Sequence, residues 1–308
     1  MHFFISGTTI NPILLVALGF VVGILGGFFG VGGSFLAGPA LFALGLPMNI
    51  AVGTDLMHIV GKSIVAARRH WSLGSVDLRL ALIMVVGTIL GIQAGVAGIE
   101  ALKRRGEVNL VVGLIAIVVY VAISLFVAYE SWKSLKIPAS RRGRAAGASL
   151  PGRDKQFFGA FARSVQKLPL GPRIALPFSG IKSISIGAIL LVSFVGGAFS
   201  SFLGGGAGYI RMPSMVYFLG IPTHIAVGTD LFEIVVSASL GSFEHALKGN
   251  VDIMVALVMQ TGAAVGAQIG ATMTQFISGP RLRLAFAPLP LLGAILIVYG
   301  LLTGHTPR

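Results

Sequence analysis

The chain has 308 residues, long enough for one or two soluble domains, yet 55% of them are hydrophobic, only 11% are charged, and the mean hydropathy is +0.91. Soluble domains carry roughly 25% charged residues, so the composition excludes a water-soluble fold and specifies a protein that crosses a membrane several times. Cysteine is absent, which excludes disulfides, thiolate catalysis and thiolate metal sites. The formal net charge of +13 implies a partner only once its position along the chain is known.

Met1 to Asn11 has no basic leader region, so the first apolar run, Pro12 to Phe29, reads as a retained span. It runs into the glycine cluster Gly26 to Gly33, which an unbroken helix disfavours. The apolar piece Ser34 to Leu44 follows, ending at Gly45-Leu46-Pro47. At 1.5 Å per residue it falls short of a hydrocarbon core of about 30 Å, so it is a half-helix or a re-entrant segment. Three spans come next, Ile50 to Ala67, Leu78 to Ile99 and Val108 to Tyr129.

The order then repeats. Ile50-Ala51-Val52-Gly53-Thr54-Asp55-Leu56 recurs unchanged as Ile225 to Leu231, an offset of 175 residues. In the same register Gly45, Pro47, His70, Gly74 and Asp77 find Gly220, Pro222, His245, Gly249 and Asp252. The second copy comprises Ile184 to Leu203, the cluster Gly204 to Gly208, a short piece Tyr209 to Leu219, and spans at Ile225 to Phe243, Ile253 to Phe276 and Leu282 to Leu302. The expected architecture is all-α and polytopic, with a first repeat over 11–130, a basic loop over 131–182 and a second repeat over 183–303.

Between the copies, Asp154 is the sole acid among many Lys and Arg residues, so most of the net positive charge lies here. A nucleic-acid-binding loop is one reading. The positive-inside rule and contact with anionic lipid account for the charge more simply and make the loop cytoplasmic. Phe157, Phe158, Phe161 and Val165 would form one face of a short interfacial helix. If each short piece counts as a crossing, each repeat has five segments and the copies are inverted; if the pieces dip and return, the copies are parallel. Inversion places Arg68, Arg69, Arg79, Arg281 and Arg283 inside, with Lys103-Arg104-Arg105 as the contrary element.

Ionisable residues within membrane spans cost at least about 2.5 kcal/mol on insertion scales and mark a pathway by default. The first copy has Asp55, His58 and Lys62, whose spacing of three and four sets them on one helical face. The second has Asp230 and Glu233, with Ser237 at the register of Lys62. Thr54 and Thr229 precede the aspartates, Gln93 and Gln268 lie inside the following spans, and all four are candidate substrate-binding residues. Asp55 and Asp230 either satisfy backbone N–H groups near a helix start or take part in transport by carrying protons. Lys62 either attracts an anion or neutralises Asp55. His58 is a packing residue or a proton relay, and Glu233 a proton carrier. Arg211 either offers a fork to an oxyanion or snorkels to the interface.

Glycine-rich backbone opening a short helix frees N–H groups and aims a positive dipole end at the midplane. Paired breaks in two halves point to a transporter's substrate site, here Gly30, Gly32 and Gly33 with Gly205, Gly206 and Gly208; helix packing alone is the simpler account of these glycines. No nucleophile–base pair, metal-ligand spacing or phosphate-loop motif is visible, so neither an enzyme nor a cofactor is expected.

At these residues the sequence resembles the sulfite exporter TauE/SafE family. The resemblance is carried by the two glycine clusters, Gly45-Leu46-Pro47 before Ala51 to Leu56, Lys62 four residues after His58, His70, and Gly74-Ser75-Val76-Asp77. It covers nearly the whole chain except the basic loop, and the second copy lacks the lysine. What it implies is a bacterial inner-membrane permease for a small sulfur-containing anion, such as sulfite or an organosulfonate, coupled to protons. An anion channel, and a permease for an unrelated small solute, are the alternatives.

Overall fold

The computed structural model describes residues 2–3, 5–135, 166, 170–204 and 208–303. Its helices are α1 (Pro12–Phe29), α2 (Ser34–Ala43), α3 (Met48–Ser72), α4 (Leu78–Arg105), α5 (Val108–Leu135), α6 (Ile186–Leu203), α7 (Gly208–Ser214), α8 (Thr223–Leu247), α9 (Ile253–Met273), α10 (Gly279–Phe286) and α11 (Leu289–Leu302). Among the described residues, eight helical stretches are long and apolar enough to cross a membrane. The protein is an all-α polytopic membrane protein. Large apolar side chains such as Ile13, Val118 and Leu302 are exposed on its outer faces, where lipid is the matching solvent.

Helix starts follow local chemistry. Pro12 occupies the first turn of α1 behind Asn11, whose side chain accepts from the Ile13 N–H. Asp77 caps α4 through Leu80 N (3.2 Å) and Asp252 caps α9 through Val255 N (3.3 Å). Several expected boundaries move. Helix α4 runs on through Lys103, Arg104 and Arg105, and α5 runs on to Leu135, because nothing in either stretch breaks a helix. The second copy's first span starts at Ile186, since Ile181–Ser185 is a strand. The expected span Leu282 to Leu302 is broken into α10 and α11 at Ala287-Pro288. Proline has no N–H to continue the ladder, and at this turn the Ser124 hydroxyl donates to the Ala287 carbonyl. In the second copy, the short piece begins as α7, contains Pro213, and continues as a π-turn over Met215–Leu219.

Two small hairpins, β1–β2 (His2–Phe3 with Thr8–Thr9) and β3–β4 (Arg173–Leu176 with Ile181–Ser185), are features the hydropathy reading did not anticipate. The aromatic stretch Phe157, Phe158, Phe161 and Val165 lies outside the described residues.

The helices of the two halves interleave. Helix α1 packs along α9, and α6 along α4, at backbone contact distance: a Cβ on Gly23 would lie 2.4 Å from the Ala263 carbonyl oxygen, and one on Gly91 2.1 Å from that of Phe194. Small residues allow this approach where lipid supplies no hydrophobic drive between helices. At the centre α3 and α8 cross antiparallel, Gly53 lying against Asn250 and Gly228 against Ser75.

The repeated motif is a reciprocal clamp between the halves. Thr54 Oγ1 accepts from Asp252 N, and Thr229 Oγ1 accepts from Asp77 N, both at 2.9 Å. His70 Nε2 meets the Gly27 carbonyl of α1 at 3.1 Å, and His245 Nε2 meets the Ser201 carbonyl of α6 at 2.9 Å. Each hairpin closes one end: Ser179 Oγ donates to Asp77 Oδ2 (2.6 Å) and Ser6 N to Asp252 Oδ2 (3.1 Å).

Candidate functional site

The chain reverses at each glycine cluster, and the two reversals touch. Gly30 and Gly33 have positive φ (74° and 71°), a conformation that costs other residues steric strain. A Cβ on Gly208 would lie 2.4 Å from the Cα of Val31 and 2.7 Å from Asp230 Oδ2. Gly30, Gly33 and Gly208 therefore sit in one central region with an aspartate from α8. Gly32 shares the first turn with φ 67°. Gly205 and Gly206 lie outside the described residues.

Two buried charged clusters flank this meeting point. On α3, Lys62 Nζ lies 3.2 Å from His58 Nδ1, which is 3.7 Å from Asp55 Oδ1. All three side chains are at most 1% exposed. The Asp55 carboxylate reaches α2, where a Cβ on Gly38 would be 3.4 Å from it. Asp55 lies a full two turns inside α3, so it does not cap that helix. On α8, Asp230 Oδ1 receives Arg211 Nε at 2.8 Å, and the same guanidinium pairs with Glu233 Oε2. Arg211 also reaches Thr88 of α4 (3.4 Å), and Ser237 Oγ donates to Glu233 (3.3 Å).

Arg211 is fully buried and held by two carboxylates, so it does not snorkel. Its register partner in the first copy is Leu36. The two copies thus keep their aspartate and supply its cation from different helices: from α3 itself in the first, and from the short helix α7 in the second.

Thr54 and Thr229 lie beside these clusters, and their oxygens serve the clamp. Gln93 and Gln268 are not brought to the centre. Both are exposed on the outer faces of α4 and α9, and Gln93 Nε2 donates to Glu244 Oε1 at 2.9 Å. Their position inside a span made them candidate substrate-binding residues, but the turn of the helix decides which way a polar side chain points.

Hydropathy also passed over Tyr120 and Tyr209. They stack edge to face with ring centroids 5.1 Å apart, are fully buried, and lie within electrostatic reach of Asp55. Tyr120, in the middle of the apolar run of α5, was the available signal. Among the described residues, no group of three or more His, Asp and Glu is placed to hold a metal.

Interleaved spanning helices, two central chain reversals and charge buried beside them define a membrane transporter rather than an enzyme. The chain belongs to the sulfite exporter TauE/SafE family, whose model matches residues 15–297. It is 25% identical over 271 residues to the probable membrane transporter protein YunE of Bacillus subtilis, covering 85% of this chain and 88% of that one. To the probable membrane transporter protein YjnA of the same organism it is 26% identical over 293 residues, 93% and 97% of the two chains. Sulfite exporter TauE/SafE family protein 1 of Arabidopsis thaliana is 24% identical over 145 residues, 46% of this chain and 31% of that one. No solved structure matches the chain.

Proposed function

We propose that this protein is a proton-coupled carrier for a small anion, sulfite or an organosulfonate, in a bacterial inner membrane with the central basic loop cytoplasmic. The observation that carries the reading is the pairing of two glycine reversals with two buried charged clusters at one central contact. In this reading the two repeats are inverted, which the antiparallel crossing of the sequence-equivalent helices α3 and α8 supports. Alternating access then consists of one repeat rocking against the other about the clamp.

The clusters divide the work. Lys62 meets His58 within electrostatic reach of Asp55 and supplies the positive charge that draws the anion when the centre opens. The Arg211 cluster sets one guanidinium against two carboxylates, so with both ionised it carries surplus negative charge in a dry site. A proton shared by Asp230 and Glu233 removes that surplus, which makes this cluster the coupling site. Asp55, His58, Lys62, Arg211, Asp230 and Glu233 are all closed to solvent, as an occluded carrier requires and an open conduit does not.

The test is counterflow in proteoliposomes preloaded with sulfite or a short organosulfonate. Saturable exchange, accelerated by a proton gradient, is expected. Glu233→Gln should retain exchange and lose the acceleration. Continuous unsaturable current would make the protein a channel, and no movement of either anion would remove the substrate assignment.

A further inference from the structure

Away from the centre, a cavity of about 560 Å³ lies between α3 and α9, lined by Ile64, Val65, Arg68, Arg69, Ser72 and Gln268. We propose that it is a binding site for the headgroup of an anionic phospholipid, with Arg68 and Arg69 holding the phosphate and Ile64 and Val65 meeting the upper acyl chain.

The depth fits. Trp71 of the same helix end is 54% exposed, and exposed indole rings at span ends are enriched at the membrane–water interface. Ile64, 50% exposed, lies one turn deeper than Arg68. The recess therefore has a cationic rim and an apolar floor in the order of a phospholipid's own parts. Two of its six lining residues are arginines and none is an acid. Arg69 is oriented by its Nε bond to Thr272 Oγ1 of α9 (3.1 Å), which leaves the rest of its fork to face the opening. Arg68 is exposed.

The second repeat supplies an internal control. At the same register Arg68, Arg69, Ser72 and Gln268 become Phe243, Glu244, Leu247 and Gln93. There Gln93 spans to Glu244 at 2.9 Å, and Phe243 and Leu247 are exposed, so that end offers an acid bonded to an amide among apolar surface. Among the described residues, the paired arginines and the recess they line thus belong to the α3–α9 end, and the equivalent positions of the second repeat carry no cation. That end also carries the end of α5, where Ser131 bonds Tyr217 and Arg283 stacks over the Tyr217 ring.

The test uses the full chain in neutral detergent, titrated with phosphatidylglycerol, phosphatidylcholine or inorganic phosphate, and read by thermal melting and by native mass spectrometry. Phosphatidylglycerol should raise the melting temperature and remain bound, while phosphatidylcholine and phosphate should not. Neutralising each arginine should weaken phosphatidylglycerol binding on the order of fivefold, and both together about 25-fold. Arg68→Gln touches no helix contact and keeps the test interpretable should Arg69→Gln loosen α9. Equal stabilisation by the two lipids, unchanged phosphatidylglycerol binding in Arg68→Gln, or an Arg68-dependent response to inorganic phosphate alone would each overturn the proposal.

Discussion

The two repeats share an aspartate, a threonine clamp and a glycine reversal, but they neutralise that aspartate differently. In the first, Lys62 sits two turns along the same helix as Asp55, with His58 between them, and the short helix α2 contributes only backbone beside the carboxylate. In the second, the cation is Arg211 on the short helix α7, and it ties that helix to α8 through two carboxylates and to α4 through Thr88. The second arrangement makes the short helix α7 part of a buried ionic lattice. In the first, the lysine meets His58 of its own helix face, and the aromatic pair Tyr120 and Tyr209 lies within electrostatic reach of Asp55. The repeated motif thus keeps its aspartate in both copies while the cation beside it comes from a different helix in each.

That contrast breaks most sharply at Arg211. Arg211→Met leaves Asp230 and Glu233 buried together without a cation, and removing one member of a buried pair costs about 3–5 kcal/mol. The expected result is a large fall in melting temperature and in folded yield, restored in part by adding Asp230→Asn and Glu233→Gln. A stable single variant would mean that the cluster does not hold α7 in place.

Lys62→Ala should show the complementary pattern, with normal expression, a smaller fall in melting temperature than Arg211→Met, and loss of anion counterflow. Unchanged flux in proteoliposomes would remove Lys62 from the transport path and with it the division of labour.

Thr54→Val and Thr229→Val sharpen the comparison from the side of likeness. Each leaves one buried backbone N–H, of Asp252 or Asp77, without its acceptor, at a cost of about 1–3 kcal/mol. Because the clamp is the part the repeats kept in common, the two losses should agree within about 0.5 kcal/mol in parallel melting experiments.

Most of the spans were legible in the sequence because hydropathy and proline position are local properties, and α1 matches its expected limits at both ends. The last span also falls in a stretch long and apolar enough to cross, Gly279–Leu302, but its turn at Ala287-Pro288 was hidden in the apolar run, and Ser124, distant in sequence, donates to the Ala287 carbonyl there. Candidate site residues divided in the same way. Asp55, His58, Lys62, Asp230 and Glu233 stood out as charge amid apolar runs, and the structure buries every one of them. Gln93 and Gln268 had equal polarity but lie on the outward faces of their helices, a matter of packing partner rather than of residue type.

The sequence by itself determined that this chain enters a membrane, that it carries a duplicated motif, and where its backbone must reverse, since solvent transfer and glycine geometry act within a few residues. Only the tertiary structure decided that the two reversals touch at Val31 and Gly208 and that Arg211 belongs to Asp230 and Glu233. It also showed that each repeat caps the other through Thr54 and Thr229. The reason is that a buried charge takes whichever partner the packing of distant helices brings within reach, and residue spacing along one helix carries no record of that choice.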